Sequence, residues 1–473
     1  MTNNETMFPG ETRYLPIRVG IIGAGRMGRI RALSAQAHPH CKVVHIADVV
    51  ASSAQALAAE IGCSAGSDWG SLLARSDVDA VVVATPHKYL SPITISALRA
   101  GKFVFCEKPM ARRFDEAESV LRFLGVSVPN SQDVLTRPLN GIHHRVLVGY
   151  TLRHHPAIIH AKKLVTEGFI GEPMYVRGRY GHGGRSGYER EWRGSVELSG
   201  GGELLDQGVH LIDLSRWFLG EFRQVTGVLG DYFWAQKEVQ NVHSIPVEDF
   251  KSNSESEYIK HPAVEDNAFM LLRTQTEKIA FLHASWTQWK NMFSFEIFGR
   301  EGFIAAEGLG GNYGPERLIT GVRQAAGELP QIEEISFSQF PDSNGATSTQ
   351  GKDRRRSRKT NSRGYCLALR SYWDTEWSEF VDAVQSTRSQ RENTPNLRSA
   401  SAFDAWQNLQ IVDAIYRSAQ QNIVVDLEPE LPSTSTGAWD RQGTPRDLQL
   451  GGHLPRINSP RTCMPDGFVK PHQ

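Results

Sequence analysis

Through the first part of the chain, short runs of β-branched and apolar residues alternate with stretches whose apolar positions recur at helical spacing. A parallel sheet wound by crossover helices requires this arrangement. The runs at 17–22, 42–47, 78–84 and 102–106 predict strands, and the third, with Val81, Val82 and Val83 in succession, reads as buried on both faces. The segments 29–37, 52–61 and 91–100 predict helices, the last closed by Gly101. Further on, 174–180 and 293–299 alternate as half-buried strands do, and 268–272 and 279–286 fit the same sheet. Helical spacing returns at 372–386 and 400–419, followed by a short final strand at 423–427. Polar stretches at 127–143, 237–261 and 343–363 interrupt the pattern. Residues 432–473, rich in Gly, Pro, Ser and Thr, predict a disordered tail.

Composition narrows the class. A chain of 473 residues with 40% apolar content suffices for two globular domains with sizeable cores. Its 52 Lys and Arg balance 52 Asp and Glu, which offers no general attraction to nucleic acid or to an anionic membrane. The basic run 352–359 can bind nucleic acid or serve as a nuclear signal in principle; a solvated, disordered loop is the preferred reading. Cys41, Cys63, Cys106, Cys366 and Cys463 are scattered, so neither a disulfide framework nor a metal site is indicated, and a reducing cytoplasm is the simplest location. Residues 1–12 lack the basic and apolar blocks of a secretory signal, and no apolar run is long enough to span a bilayer.

The first strand empties into Gly23-Ala24-Gly25-Arg26-Met27-Gly28, a Gly-x-Gly-x-x-Gly turn that opens a helix. Gly23 permits the tight turn, Gly25 lets the backbone approach a pyrophosphate, and Gly28 lets helix and strand pack closely. The phosphates would meet the helix N-terminus, and Arg26 and Met27 of the turn are further candidate cofactor contacts. Asp48 closes the second strand, about 20 residues further on, where an acid binds the adenine ribose hydroxyls. Val49, Val50 and Ala51 follow it, with no cation for a 2′-phosphate, so NAD is favoured over NADP. Thr85-Pro86 and Glu107-Lys108-Pro109 end the third and fourth strands, at the sheet edge where ligands bind.

The glycine turn, Asp48, Thr85-Pro86 and Glu107-Lys108-Pro109, in this order, resemble the Gfo/Idh/MocA family of sugar and cyclitol oxidoreductases. The resemblance continues through Gly149-Tyr150-Thr151-Leu152-Arg153-His154-His155-Pro156 and Gly168-Phe169-Ile170-Gly171-Glu172-Pro173 to the Asp-x-x-x-His signature at Asp206 and His210, and covers residues 16–430 with interruptions. It implies an α/β nucleotide domain, a doubly wound Rossmann sheet at 16–150, and an α+β domain at 151–341 whose open, mostly antiparallel sheet carries helices on one face. It also implies that helices within 372–421 return to the nucleotide domain. Sheet-to-sheet pairing would give a homodimer or homotetramer. Trp286 and Trp289 fit an aromatic face at such an interface better than a sugar-stacking role.

Oxidising a secondary alcohol needs a hydride acceptor and a base for the hydroxyl proton. Asp206 and His210 lie four apart and would share a helix face; His210, with an ordinary pKa near neutrality, is the better base. Lys108 can donate to the same oxygen, and Asp206 can position the substrate or influence the imidazole. By resemblance, these three match the family's catalytic Lys, Asp and His. Taken singly, the same residues read as a charged turn, a helix cap and an interior histidine. Glu107 either orients Lys108, contacts the cofactor or makes a surface salt bridge.

A glycine-rich stretch at 181–193 carries Arg185, Tyr188, Trp192 and Arg193; with Arg153 they can bind an anion and a sugar face, or the stretch is a solvated loop. The favoured reading is an NAD-dependent dehydrogenase for a sugar, sugar acid, cyclitol or nucleotide sugar. An NAD-dependent glycosidase and a non-catalytic nucleotide-binding protein are the competitors.

Overall fold

A computed structural model describes residues 16–126, 145–184, 187, 191–234, 264–325, 328, 330–337, 361–389 and 397–427, without the side chains of 361–371. The polar stretches at 127–143 and 237–261, the basic run 352–359 and the tail 432–473 lie outside them.

The nucleotide half runs β1 (Ile17–Ile22), α1 (Arg26–Ala37), β2 (Cys41–Ala47), α2 (Ala51–Ile61), β3 (Ser64–Gly66), α3 (Trp69–Ala74), β4 (Ala80–Val83), α4 (His87–Arg99), β5 (Phe103–Glu107), α5 (Phe114–Phe123), β6 (Val146–Gly149). These strands are parallel, in the spatial order β3-β2-β1-β4-β5-β6. This is the doubly wound Rossmann arrangement, and its direction reverses between β1 and β4. Ile17, Val19 and Ile21 pack on one face with Ala80 and Val82, whereas Ile22, Val81 and Val83 pack on the other. Burial on both faces explains why these strands show no polar alternation.

Four elements of this half, β3, α3, α5 and β6, are not among those the sequence pattern predicts. β3 is too short to show a period, and α3 is announced only by its cap, Asp68, which accepts from the backbone N–H of Gly70 (3.0 Å) and Ser71 (2.8 Å). α4 also starts a turn before the expected residue 91. Pro92 reads as a first-turn proline, yet buried His87 and Leu90 carry the helix back to the end of β4.

The second half continues with a 3₁₀ turn (Thr151–His154), α6 (Pro156–Thr166), β7 (Pro173–Gly181), α7 (Val196–Ser199), a π-helical turn (Leu204–Gly208), α8 (Val209–Leu219), β8 (Phe222–Gly230), β9 (Asn267–Thr274), β10 (Ile279–Ser285), β11 (Met292–Gly299), β12 (Gly302–Glu307), β13 (Arg317–Val322) and β14 (Gln331–Ser336). Then come α9 (Asn361–Arg388), β15 (Ala400–Ser401), α10 (Ala402–Gln421) and β16 (Val425–Asp426). The second sheet has the order β14-β13-β12-β11-β7-β10-β9-β8-β16 and is antiparallel except where β7 meets β10. Ile158, Ala161, Leu211 and Leu214 of α6 and α8 pack on its inner face with Val176 and Phe295. Val228, Leu271 and Phe281 stand exposed on the outer one.

The C-terminal segments, whose helices are expected to return to the nucleotide half, add a strand to each sheet. β15 adds antiparallel to β6 of the first sheet, and β16 adds to β8 of the second. α9 covers the nucleotide sheet through Trp377, Phe380, Val381 and Val384. It begins at Asn361, inside the expected polar insertion 343–363, because helix-forming residues such as Leu367, Ala368, Leu369 and Arg370 follow at once. α10 reaches both α5, where the rings of Trp406 and Phe114 lie 5.5 Å apart, and β8. At Gly227 of β8 a Cβ would come within 2.5 Å of Ile415, so only glycine admits the helix there. Trp286 is buried in a small cluster with Val264 and Trp234, which removes it from any surface role, while Trp289 remains 67% exposed.

A buried charge cluster joins these segments. Arg31 of α1 is 0% exposed; its Nε donates to Glu107 Oε1 and its Nη1 to Glu376 Oε2, each at 2.6 Å. Thr151 Oγ1 donates to the same Glu376 oxygen (2.8 Å), and the guanidinium lies 4.3 Å from the ring centres of Phe105 and Trp373. Glu107 is therefore an interior partner of Arg31 and not a surface salt bridge. Burial pushes both carboxyls up against the pull of Arg31. Replacing Arg31 by Met leaves two buried carboxyls without their cation and should lower stability by about 3 kcal/mol in urea unfolding. A loss below about 1 kcal/mol would show that the carboxyls need no counter-charge.

Candidate active site

The carboxyl edge of the first sheet gathers the expected nucleotide residues. Gly23 has φ +99°, in the left-handed region, and a Cβ at Gly28 would lie 1.8 Å from Gly23 O, so both positions demand glycine. A Cβ at Gly25 would meet nothing within 4 Å, leaving open space before the start of α1, which has no side-chain cap. Arg26 and Met27 form its first turn. Uncapped amides facing open space suit a pyrophosphate. Asp48 is fixed at the end of β2 by backbone donors, Ala24 N to Oδ2 (2.6 Å) and Val50 N to Oδ1 (2.8 Å), and each oxygen keeps a lone pair for a ribose hydroxyl. Thr85 Oγ1, just beyond β4 and before Pro86, is a buried oxygen with no protein partner, as a site awaiting a ligand donor would have. Together, these features fit a dinucleotide.

At the same sheet edge, the end of β5 presents Lys108 to the turn before α8. Lys108 Nζ donates to Asp206 Oδ1 and to Asp206 O, both at 2.6 Å. Arg193 Nε donates to the other carboxylate oxygen, Oδ2, at 3.2 Å. Loss of water alone would raise the Asp206 carboxyl; the charges of Lys108 and Arg193 override it and hold the group well below the usual range. His210 stands in the first turn of α8, edge-on to Tyr150 at 5.8 Å, with its buried Nδ1 lacking any protein partner. Desolvation and then the Lys108 charge hold its pKa well below 6.5, so the ring is neutral at physiological pH rather than poised at its ordinary value. Asp206 lies in a π-helical turn, not in the regular helix expected, and such turns recur at functional sites.

The expected substrate residues divide. Trp192 and Arg193 join the Lys108–Asp206 pair: the Arg193 guanidinium carbon lies 4.5 Å over the Trp192 ring. Arg153 does not. It is buried, with Nε and Nη2 on Asp213 (2.8 and 2.6 Å) and Nη1 on Arg398 O (3.2 Å), so its charge is consumed in the core and it cannot receive a substrate anion. Arg185 and Tyr188 lie outside the described residues.

Three residues near the site had no role in the sequence reading. Glu203, one turn before Asp206, is fully buried, and burial and the Asp206 charge raise its pKa well above normal. Glu265 accepts from Gly202 N, Leu204 N (3.1 Å each) and Tyr416 Oη (2.9 Å), anchoring the start of the signature turn. His87 follows Thr85-Pro86 directly, a proximity visible in the sequence.

Residues 17–125 match the profile "Oxidoreductase family, NAD-binding Rossmann fold", and residues 158–305 the profile "GFO/IDH/MocA C-terminal domain". The chain belongs to the GFO/IDH/MocA oxidoreductase family. It is 29% identical over 302 residues to levoglucosan dehydrogenase of Pseudarthrobacter phenanthrenivorans, covering 61% of this chain and 73% of that one. To inositol 2-dehydrogenase of Rhizobium meliloti it is 28% identical over 209 residues, 44% of this chain and 56% of that one, so it spans just over half of that relative. A levoglucosan dehydrogenase structure in complex with NADH superposes with a TM-score of 0.64 at 23% identity, over 88% of this chain and all of that one, which shows the shared fold. NAD is the cofactor of this GFO/IDH/MocA nucleotide domain. No helix among the described residues is long and apolar enough to cross a membrane.

If Asp48 accepts from the ribose hydroxyls, its carboxylate would repel a 2′-phosphate, and Asp48→Ala should narrow the preference for NAD over NADP. Fluorescence titration of both reduced cofactors measures it; equal affinities in the unaltered protein would remove the assignment.

Proposed function

We propose that this chain is an NAD-dependent dehydrogenase acting on a secondary hydroxyl of a sugar, sugar acid, cyclitol or nucleotide sugar. The observation that carries the reading is the Lys108–Asp206 pair, at 2.6 Å, with neutral His210 beside it, facing the edge that fits the dinucleotide. Relatives named for levoglucosan and inositol support the substrate class.

When bound, NAD supplies the hydride acceptor. Lys108, held by Asp206, donates a hydrogen bond to the reacting oxygen and stabilises alkoxide character as the C–H bond weakens. His210 takes the hydroxyl proton; its unprotonated state at neutral pH leaves it ready to do so. In the reverse direction His210 returns the proton. Trp192 offers an apolar face to the sugar ring, and Arg193 fixes the Asp206 carboxylate and adds positive charge suited to an anionic substituent.

The sequence's scattered thiols and the free Cys41, Cys63 and Cys106 suit a reducing cytoplasm. Exposed Val228, Leu271 and Phe281 on the outer face of the second sheet support pairing of two copies through that face. Sedimentation should give a dimer or tetramer that Phe281→Lys weakens; a monomer at micromolar concentration would rule the pairing out.

The chemical roles are tested by a sugar panel followed at nicotinamide absorbance. Lys108→Ala should bind NADH normally and lose at least about 100-fold in turnover. The rate should rise with pH as His210 loses its proton. Since that pKa is depressed, the limb lies on the acid side of 6.5, is absent in His210→Asn, and moves upward in Lys108→Ala, where the depressing charge is gone. A limb unchanged by both variants would release His210 from its role, and glycoside cleavage without net NADH would replace the dehydrogenase by the glycosidase.

A further inference from the structure

We propose that His87 is a positioning residue for the substrate side of the site, acting through Trp192 to hold Arg193 against Asp206. The inference rests on the preceding functional reading only for where the substrate lies.

His87 opens α4, on the nucleotide half, and is 3% exposed. Its Nδ1 lies 2.7 Å from Ser199 O, so Nδ1 carries the proton and donates. Burial, then the Lys108 charge, lowers its pKa to about 3, and the neutral, Nδ1-protonated ring persists throughout the working pH range. The ring meets Trp192 edge-on, with centroids 4.7 Å apart and planes at 73°. Trp192 carries the Arg193 guanidinium on its own face, and Arg193 Nε reaches the one Asp206 oxygen that Lys108 does not take. A single line of contacts thus leads from the residue after Thr85-Pro86 to the carboxylate that orients Lys108.

The segment from Trp192 to Gly200 is fastened to the nucleotide half at further points. Lys88 pairs with Glu197, Arg112 Nη1 donates to Glu197 O, and a Cβ at Gly200 would lie 2.6 Å from Arg112 Cβ. Those ties hold the backbone of α7. His87 is the tie that also bears on the aromatic side chain beneath Arg193, so it decides how Arg193 is aimed rather than merely whether the segment is attached.

Two substitutions separate the contacts. His87→Asn places an amide nitrogen where Nδ1 stands and keeps the donor without the ring; His87→Phe keeps a ring edge for Trp192 without the donor. Both should bind NADH within about twofold of the unaltered protein and raise KM for the oxidised sugar about tenfold, with kcat within about threefold, the scale of one lost positioning contact. In a double-mutant cycle, His87→Phe should add no further rise to that of Arg193→Met, because His87 acts through Arg193. Independent, multiplying effects would overturn the proposal, as would an unchanged KM. Loss of NADH binding in both variants would overturn it too, by placing His87 in the nucleotide site. Hydrogen exchange without substrate supplies a separate reading: amides of 196–200 should exchange faster in His87→Phe, and equal exchange would overturn the tie. If no sugar is oxidised by the unaltered protein, the functional reading fails while the exchange result still decides whether His87 fastens this segment.

Discussion

A guanidinium shut away from water must find its counter-charges inside the protein, and Arg31 finds them on Glu107 and Glu376. This constraint organises the molecule. It joins α1, which follows the glycine turn, to the end of β5, which presents Lys108, and to α9, which arrives from more than three hundred residues later in the chain. The strand end bearing Lys108 is consequently fixed by a cation that the nucleotide helix itself carries. Two carboxyls around one cation leave the cluster short of positive charge, and burial raises both pKa values.

The cleft above it separates charge by the same means. Asp206 stays ionised because Lys108 and Arg193 stand against it, while one turn away Glu203 is driven toward its neutral form by burial and by Asp206 itself. His210 is kept neutral first by burial and then by the same Lys108 charge that keeps Asp206 ionised. Of three titratable groups within two helical turns, Asp206 and His210 are thus unprotonated and Glu203 is driven toward protonation at one pH, a division that acid–base chemistry needs. Glu265, through the amides of Gly202 and Leu204, holds the turn on which they are arranged.

Local sequence made much of this legible. The glycine turn, Asp48, Thr85-Pro86, Lys108 and the Asp206-to-His210 spacing each sit at a strand end or in one helical turn, where a few adjacent residues dictate the backbone. Alternating or continuous apolar runs foretold the two kinds of strand because burial on one face or both leaves a direct imprint on composition. Short elements such as β3 had no length in which to show a period, and α3 depended on a cap rather than a stripe. Arg153 misled because a lone arginine in a binding-like context carries no mark of the Asp213 that consumes it 60 residues later.

What the sequence by itself determined, then, was the doubly wound nucleotide sheet, its glycine turn and the identity of the groups able to do the chemistry, since all of these follow from neighbours along the chain. The tertiary structure alone decided which of those groups meet. It sent Glu107 inward to Arg31, spent Arg153 on Asp213, brought Arg193 over Trp192 to Asp206, and gave β15 and β16 to different sheets. The physical reason is that charge pairing and desolvation depend on distance in space, and residues far apart in sequence leave no periodic trace of the partner that folding will bring beside them.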